Sequence, residues 1–96
     1  MTWFQEEKIK VFRDIEGLIN SFPFFIFIKG TKEEPKCKFT RKLINQLLGP
    51  KNYEYKTYNI LSDERLRLWL RTYSNWPTFP QIFINGKFVG GIDICE

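Results

Sequence analysis

The sequence contains no histidine, and this absence excludes several kinds of site. A serine or cysteine nucleophile that needs an imidazole base cannot be assembled within these 96 residues, and neither can a metal site with a histidine ligand. The two cysteines, Cys37 and Cys95, are too few for a disulfide framework and too distant in sequence for a local zinc knuckle. We therefore expect free thiols in a reducing compartment.

Long apolar runs are also missing from the chain. No stretch is long enough to cross a membrane, and the acidic residues 1–7 are not followed by the apolar segment of a signal peptide. The chain is nevertheless 18% aromatic, which supplies bulky side chains for a core. We expect one domain over residues 1–96, which could be a fragment of a longer protein.

The formal net charge of +4 is concentrated in one segment. Between Lys29 and Lys42 there are six basic and two acidic side chains, which accounts for the whole excess. Such a patch could bind phosphates or a small anionic ligand. Because no base-stacking or groove-reading motif accompanies it, we expect no nucleic-acid partner.

Cys37 lies in this basic segment, between a predicted strand and a predicted helix. The run Phe24 to Ile28 is typical of a buried strand, and apolar residues recur at helical spacing after the cysteine. The first turn of a helix has unpaired N–H groups and partial positive charge, so it favours a thiolate. A buried structural cysteine is the alternative, but the flanking lysines favour contact with water. We predict a lowered pKa for Cys37, through the helix and through four nearby cations, Lys36, Lys38, Arg41 and Lys42.

Patterning predicts the order helix, strand, helix, strand, helix, strand, strand and the start of a last helix. A capping box at Thr2 and Gln5 begins the first helix, and Asn20 to Pro23 end it. The second helix runs from Cys37 to Leu48, with Gly49 and Pro50 directly after its end.

In the second half, aromatic and polar residues alternate from Tyr53 to Tyr58 as in a half-exposed strand. Ser62 or Asp63 can cap the third helix. Asn85-Gly86 favours a type I′ turn, so we expect a hairpin around it. The buried face of the third helix is predicted to contain Leu66, Trp69 and Leu70. The hairpin strands are predicted at Gln81–Ile84 and Lys87–Val89, and Asp93 is predicted to cap the last helix.

A parallel strand-helix-strand unit followed by a hairpin predicts an α/β fold with one mixed, four-stranded sheet flanked by helices, the last of them truncated. Ligands of open α/β sheets bind outside the carboxyl ends of the parallel strands. Cys37 follows such an end, so the sequence predicts a site there.

Four motifs in order resemble the monothiol glutaredoxins, a branch of the thioredoxin fold. They are Lys29-Gly30-Thr31, Cys37-Lys38-Phe39-Thr40, Ser74-Asn75-Trp76-Pro77-Thr78-Phe79-Pro80-Gln81 and Phe88-Val89-Gly90-Gly91-Ile92-Asp93. The resemblance implies binding of glutathione and of a [2Fe-2S] cluster bridged between two protomers, in a homodimer that is monomeric without the cluster. It also implies iron-sulfur acceptor proteins as partners.

Position by position, the resemblance makes Cys37 the cluster ligand or the redox thiol. Lys29 and Arg67 would hold the glycine carboxylate of glutathione. Phe79, before what resembles the family's cis Pro80, would pair its backbone with the cysteinyl part, and Ile92 with Asp93 would receive the γ-glutamyl end. Cys95, in contrast, is predicted to be a buried helix residue.

The chain departs from the Cys-Gly-Phe-Ser signature of the family at Lys38 and Thr40. Thr40 keeps a hydroxyl, whereas Lys38 adds a long cation beside the cysteine. Two functions remain: an iron-sulfur carrier, and a thiol oxidoreductase of weak activity that reduces glutathione mixed disulfides through Cys37 alone. The segment Glu33 to Cys37 resembles the cytosolic members, so we expect a cytoplasmic location, with the mitochondrion as the alternative.

Overall fold

The structure, a computed structural model, describes residues 2–95, except the side chain of Cys95. The predicted mixed sheet is confirmed, with strand order β2-β1-β3-β4. β1 is parallel to β2 and antiparallel to β3, and β3 forms the predicted hairpin with β4. The elements are α1 (Trp3–Ile19), β1 (Phe24–Ile28), α2 (Lys38–Lys42), β2 (Lys56–Asn59), α3 (Glu64–Ser74), β3 (Gln81–Ile84) and β4 (Lys87–Gly90).

Helix α1 begins as the sequence predicts. The Thr2 hydroxyl accepts from the N–H of Gln5, and the Gln5 side chain accepts from the N–H of Thr2. These bonds satisfy two donors that a helix start leaves unpaired. The helix ends at Asn20, and its buried residues are Val11, Ile15 and Ile19.

The helix after Cys37 differs from the prediction in its form and in its end. It is α-helical only over α2 and continues as a π-helix (Leu43–Leu48) and a 3₁₀ turn (Gly49–Lys51). Gly49 keeps right-handed helical angles. The helical segment ends instead at Asn52, which is left-handed with φ 55°. Pro50 fits in the 3₁₀ turn because a first-turn residue needs no N–H donor.

Strand β2 covers Lys56–Asn59, so the predicted strand at Tyr53 to Tyr58 starts three residues too early and ends one residue too early. Tyr53 and Tyr55 instead pack on Phe24, with ring centroids 6.0 and 5.8 Å apart. Their alternation with polar residues therefore reflects aromatic packing against β1 rather than ladder pairing.

Asp63, and not Ser62, caps α3, since its carboxylate accepts from the N–H of Leu66 at 3.0 Å. The hairpin turn has φ 50° at Asn85 and 80° at Gly86, the positive values that a type I′ turn requires. Asp93 is not the predicted cap, because it lies inside a 3₁₀ turn (Ile92–Cys95) rather than before it.

Side chains alternate across the sheet and divide the core into two layers. Phe25, Phe27 and Phe83 face α1 and α3, while Ile26, Ile28 and Ile82 face the helix after Cys37. This alternation is the period of a β-strand, and both faces of the central strands are buried because helices cover them. Within residues 2–95 no helix is both long and apolar enough to cross a membrane.

Candidate functional site

A short polar loop carries the chain from the end of β1 to Cys37. Gly30 has φ 93°, and a Cβ there would lie 2.7 Å from the backbone nitrogen of Lys36, so a side chain does not fit. The N–H of Gly30 donates to the side-chain oxygen of Asn59 at 2.9 Å, and the N–H of Lys36 donates to the carbonyl of Lys29 at 2.8 Å. The loop is thereby fixed to the ends of both parallel strands, where the sequence predicts the site.

Cys37 is the N-cap residue of α2, and its sulfur accepts from the N–H of Thr40 at 3.4 Å. The Thr40 hydroxyl lies 3.2 Å from the same sulfur and also accepts from the N–H of Lys29, at 3.3 Å. A thiolate carries no proton, so the hydroxyl must donate to it. Thr40 is fully buried, which holds this chain of hydrogen bonds in one geometry.

The pKa of the Cys37 thiol is lowered, as the sequence predicts. Partial burial raises this pKa, but hydrogen bonds from the Thr40 hydroxyl and from the backbone of Thr40 and Phe39, together with the charge of Lys29, outweigh it. The predicted source of the electrostatic contribution is wrong, since the cation that lowers the pKa is Lys29 at the end of β1. Three of the four predicted cations, Lys36, Lys38 and Arg41, are exposed instead.

Cys37 opens into a cavity of about 410 Å³ between the start of α2, the end of α3 and the loop before β3. The lining includes three cations and no acidic side chain, which favours an anionic ligand. The lining residues are Lys29, Cys37, Lys38, Phe39, Arg71, Pro77, Thr78 and Phe79. A larger surface groove of about 630 Å³, between α1 and α3, contains no cysteine and has mixed charge, so it has no evident relation to the thiol.

Lys38, which replaces the glycine of the resembled signature, is exposed at the first position of α2. Its ammonium lies 5.2 Å from the centroid of the Phe39 ring, a cation–π distance. Phe39 itself is 49% exposed, so the two side chains together form a rim beside the sulfur.

The loop before β3 carries the predicted cis peptide bond, between Phe79 and Pro80. Phe79 is buried and lines the cavity, on the side opposite α2. The side-chain amide of Gln81, fully buried, donates to the carbonyls of Trp76 and Thr78 at 3.1 and 3.3 Å. Gln81 therefore holds the loop that faces Cys37.

The cation that α3 contributes to the cavity is Arg71 rather than Arg67. Arg67 lies one turn earlier and approaches Glu64, with 4.0 Å between the charged atoms. The predicted contact of Arg67 with glutathione stays a prediction. The four-residue spacing of the two arginines on one helix face was the sequence signal that could have identified Arg71.

Ile92 and Asp93 lie beyond the cavity lining, at the start of the last turn, with Asp93 exposed. A Cβ at Gly91 would lie 3.2 Å from the Trp76 indole nitrogen and 3.6 Å from an Asp93 carboxylate oxygen, so these groups surround a glycine. That indole N–H is buried without a hydrogen-bond partner in the described part of the chain. The prediction for Cys95 concerns a side chain outside the described residues.

Sequence reasoning missed Arg71 and the positioning role of Gln81, and it underestimated Thr40. A hydroxyl at position 40 was visible, but only the fold shows that it connects the sulfur to the end of β1. Among the described residues there is no group of three or more histidine, cysteine, aspartate or glutamate side chains that could hold a metal ion.

The comparisons with known proteins agree with this geometry. The family model described as Glutaredoxin matches residues 24–89. Monothiol glutaredoxin-4 of Schizosaccharomyces pombe is 49% identical over 82 residues, which are 85% of this chain and 33% of that protein. The chain spans only 16% to 46% of the length of other curated relatives that it matches.

Solved structures show the same fold. A monomeric truncated mutant of 1-C-Grx1 from Trypanosoma brucei superimposes with a TM-score of 0.73 at 38% identity, covering 85% of this chain and 74% of that one. A buckwheat glutaredoxin-glutathione complex gives 0.76 at 23% identity, over 92% and 77% of the two chains. With one thiol at the head of α2 and this fold, the chain belongs to the glutaredoxin family, in its monothiol branch.

Proposed function

We propose that Cys37 and glutathione together bind one half of a [2Fe-2S] cluster, and that two copies of the chain share the cluster and deliver it to acceptor proteins. The observation that carries this proposal is the Cys37 thiol, whose pKa is lowered, in a cavity lined by cations. A [2Fe-2S] cluster is held by four ligands, commonly thiolates. One chain supplies one, so a second chain and two glutathione thiolates complete the set.

The residues beside Cys37 suit glutathione, which carries two carboxylates and one ammonium. Lys29 and Arg71 line the cavity and offer charge-assisted hydrogen bonds to one carboxylate, with Arg67 as the further candidate. The backbone at Phe79 offers an edge to the cysteinyl part, and Ile92 with Asp93 would receive the γ-glutamyl end. The buckwheat relative of the same fold was solved with glutathione, which supports this ligand.

The lowered pKa of Cys37 favours a second function, reduction of glutathione mixed disulfides. In that reaction the Cys37 thiolate attacks the glutathione sulfur, a new disulfide forms with Cys37, and the protein thiolate leaves and takes a proton from water. A second glutathione then attacks the Cys37 disulfide, which releases oxidised glutathione and restores the Cys37 thiolate. Both functions need a reducing compartment, and we propose the cytoplasm, with the mitochondrion as the alternative.

Anaerobic reconstitution with iron, sulfide and glutathione tests the carrier function. We expect a visible absorption band and a dimer by size-exclusion chromatography. When glutathione is omitted we expect a colourless monomer, because the Cys37 thiolates of two chains supply only half of the four ligands. Cys37→Ser should abolish the colour, and Cys95→Ser is the matched control that should keep it. Colour that is lost with Cys95 and kept without Cys37 would refute the assignment of the ligand.

A further inference from the structure

Two cations next to Cys37 have no counterpart in the glutathione site. Lys38 and Arg41 are exposed, and neither has an ion-pair partner among residues 2–95. They are three residues apart on one helix, so they share a face. Lys38 lines the cavity at its rim, beside Phe39, whereas Arg41 lies outside the lining.

Lys38 lies in the first turn of α2, where a cation is unfavourable for the helix. The first turn of α2 contains no acidic residue, although a helix start favours negative charge. Like charges three residues apart also repel one another. A local arrangement that breaks such a rule is typical of a functional surface, and a bound anion would relieve the repulsion between the two exposed cations.

We propose that Lys38, Phe39 and Arg41 form an acid-recognition surface, which selects protein partners that carry aspartate or glutamate beside the reacting cysteine. This inference rests on the proposed function, because the partner is the protein half of the glutathione mixed disulfide that Cys37 reduces. Glutathione occupies the cavity, and the protein half extends past the rim. Its carboxylates then meet Lys38 and Arg41, and its apolar groups meet the half-exposed ring of Phe39.

A peptide suits this surface better than a nucleic acid does. The partner must bring a sulfur to Cys37, which a polypeptide cysteine does and a nucleic acid does not. Single-stranded nucleic acids also need aromatic rings on which bases stack. Of the two phenylalanines that line the cavity, Phe79 is buried, so the lining offers a single exposed ring, that of Phe39, and no row of stacking rings.

The test compares two peptides, each with one glutathionylated cysteine, that differ only in having glutamate or lysine on both sides of it. The measurement is kcat/KM for glutathione-dependent reduction of each peptide, at low and at high ionic strength. Because both peptides react with the same thiolate, the reactivity of Cys37 cancels in their ratio. We expect the acidic peptide to be favoured, by about two- to fivefold for each cation, as for exposed ion pairs. Added salt should reduce the preference.

Lys38→Gln and Arg41→Gln should each lower that ratio, and together they should abolish it. The matched control is Lys10→Gln, which removes the same charge from an exposed position on α1, across the sheet, and should leave the ratio unchanged. A wild-type chain that reduces both peptides equally, or a preference that survives the double variant, would overturn the inference. So would an equal loss of both rates on adding a short single-stranded oligonucleotide, which would assign the cations to nucleic acid.

If neither peptide is reduced, the proposed oxidoreductase function fails. The acid-recognition surface is then tested separately, by the rate at which the Cys37 thiolate reacts with small disulfide reagents. The probes are an aromatic disulfide with one carboxylate on each ring and a neutral dipyridyl disulfide, which both react with a free thiolate. Their rate ratio should favour the anionic reagent and fall in the Lys38→Gln and Arg41→Gln variants. A ratio that these variants leave unchanged would reject the acid-recognition surface.

Discussion

Thr40 is the residue on which the chemistry of Cys37 depends most directly. Its hydroxyl contacts the sulfur at 3.2 Å, and it accepts from the backbone of Lys29 on the neighbouring strand end. Because the pKa of Cys37 is lower in the folded chain than in the unfolded one, unfolding takes up a proton in the interval between the two values. The free energy of unfolding therefore rises as the pH increases from the folded to the unfolded pKa, and this gain is lost on acidification.

Thr40→Val should raise the pKa of Cys37, because the valine has the same shape and cannot donate to the thiolate. It should also cost about 1–3 kcal/mol in free energy of unfolding, since the N–H of Lys29 loses its buried acceptor. Ultraviolet absorbance of the thiolate against pH and urea denaturation measure the two effects. Thr40→Ser is the control, because it keeps the hydroxyl, and a valine variant with an unchanged pKa would contradict the proposed hydrogen bond.

At the scale of secondary structure, the site depends on how three element ends meet. Lys29 directly follows β1, α2 begins after Cys37, and the last turn of α3 brings Arg71 to the same cavity. Asp63 fixes where α3 starts, and therefore which arginine reaches the cavity eight residues later.

Arg71→Glu should weaken glutathione binding by about tenfold to hundredfold, because a carboxylate then faces a carboxylate where a charge-assisted hydrogen bond of about 1.5–3 kcal/mol is proposed. Arg67→Glu is the comparison on the same helix, and a smaller loss is expected there because Arg67 lies beside Glu64. Isothermal titration calorimetry with reduced glutathione gives both affinities. Equal affinity for wild type and Arg71→Glu would show that Arg71 does not contact glutathione.

For the molecule as a whole, stability comes mainly from the aromatic layer between the sheet and helices α1 and α3. Phe83 is fully buried, and its ring centroid lies within 6.4 Å of those of Phe27, Tyr73 and Phe88. This layer holds β3 against β1 and so fixes the loop that carries Phe79.

Phe83→Ala should lower the free energy of unfolding by about 3–5 kcal/mol, through lost burial and the cavity that remains. A chain of this length has only about 5–15 kcal/mol in total, so the variant should be close to unfolding. Leu61→Ala, at a side chain that is 50% exposed, is the control and should change stability by less than about 0.5 kcal/mol. Chemical denaturation followed by circular dichroism measures both, and similar values for the two variants would show that the aromatic layer is not the main core.

The sequence by itself determined most of the elements and the position of Cys37 at a helix start. Capping residues, turn dipeptides and apolar spacing are local signals, so Thr2, Asn85-Gly86 and the run Phe24–Ile28 were interpreted correctly without a fold. The placement of Cys37 at a helix start is also a local signal, and the structure confirms it. The start of the second strand was predicted wrongly at Tyr53 because the position of that residue depends on a contact that is not local. Its ring packs on Phe24, which is distant in sequence.

Only the tertiary structure decided which groups surround the sulfur. Lys29 rather than Lys38 lowers its pKa, Arg71 rather than Arg67 reaches the cavity, and Gln81 holds the opposing loop. Each of these depends on the packing of elements far apart in the chain, where a rotation by one helical residue moves a side chain to another face. Charge counted along the sequence gives the sign of the field at Cys37, but its source depends on distance and solvent, which only the fold sets.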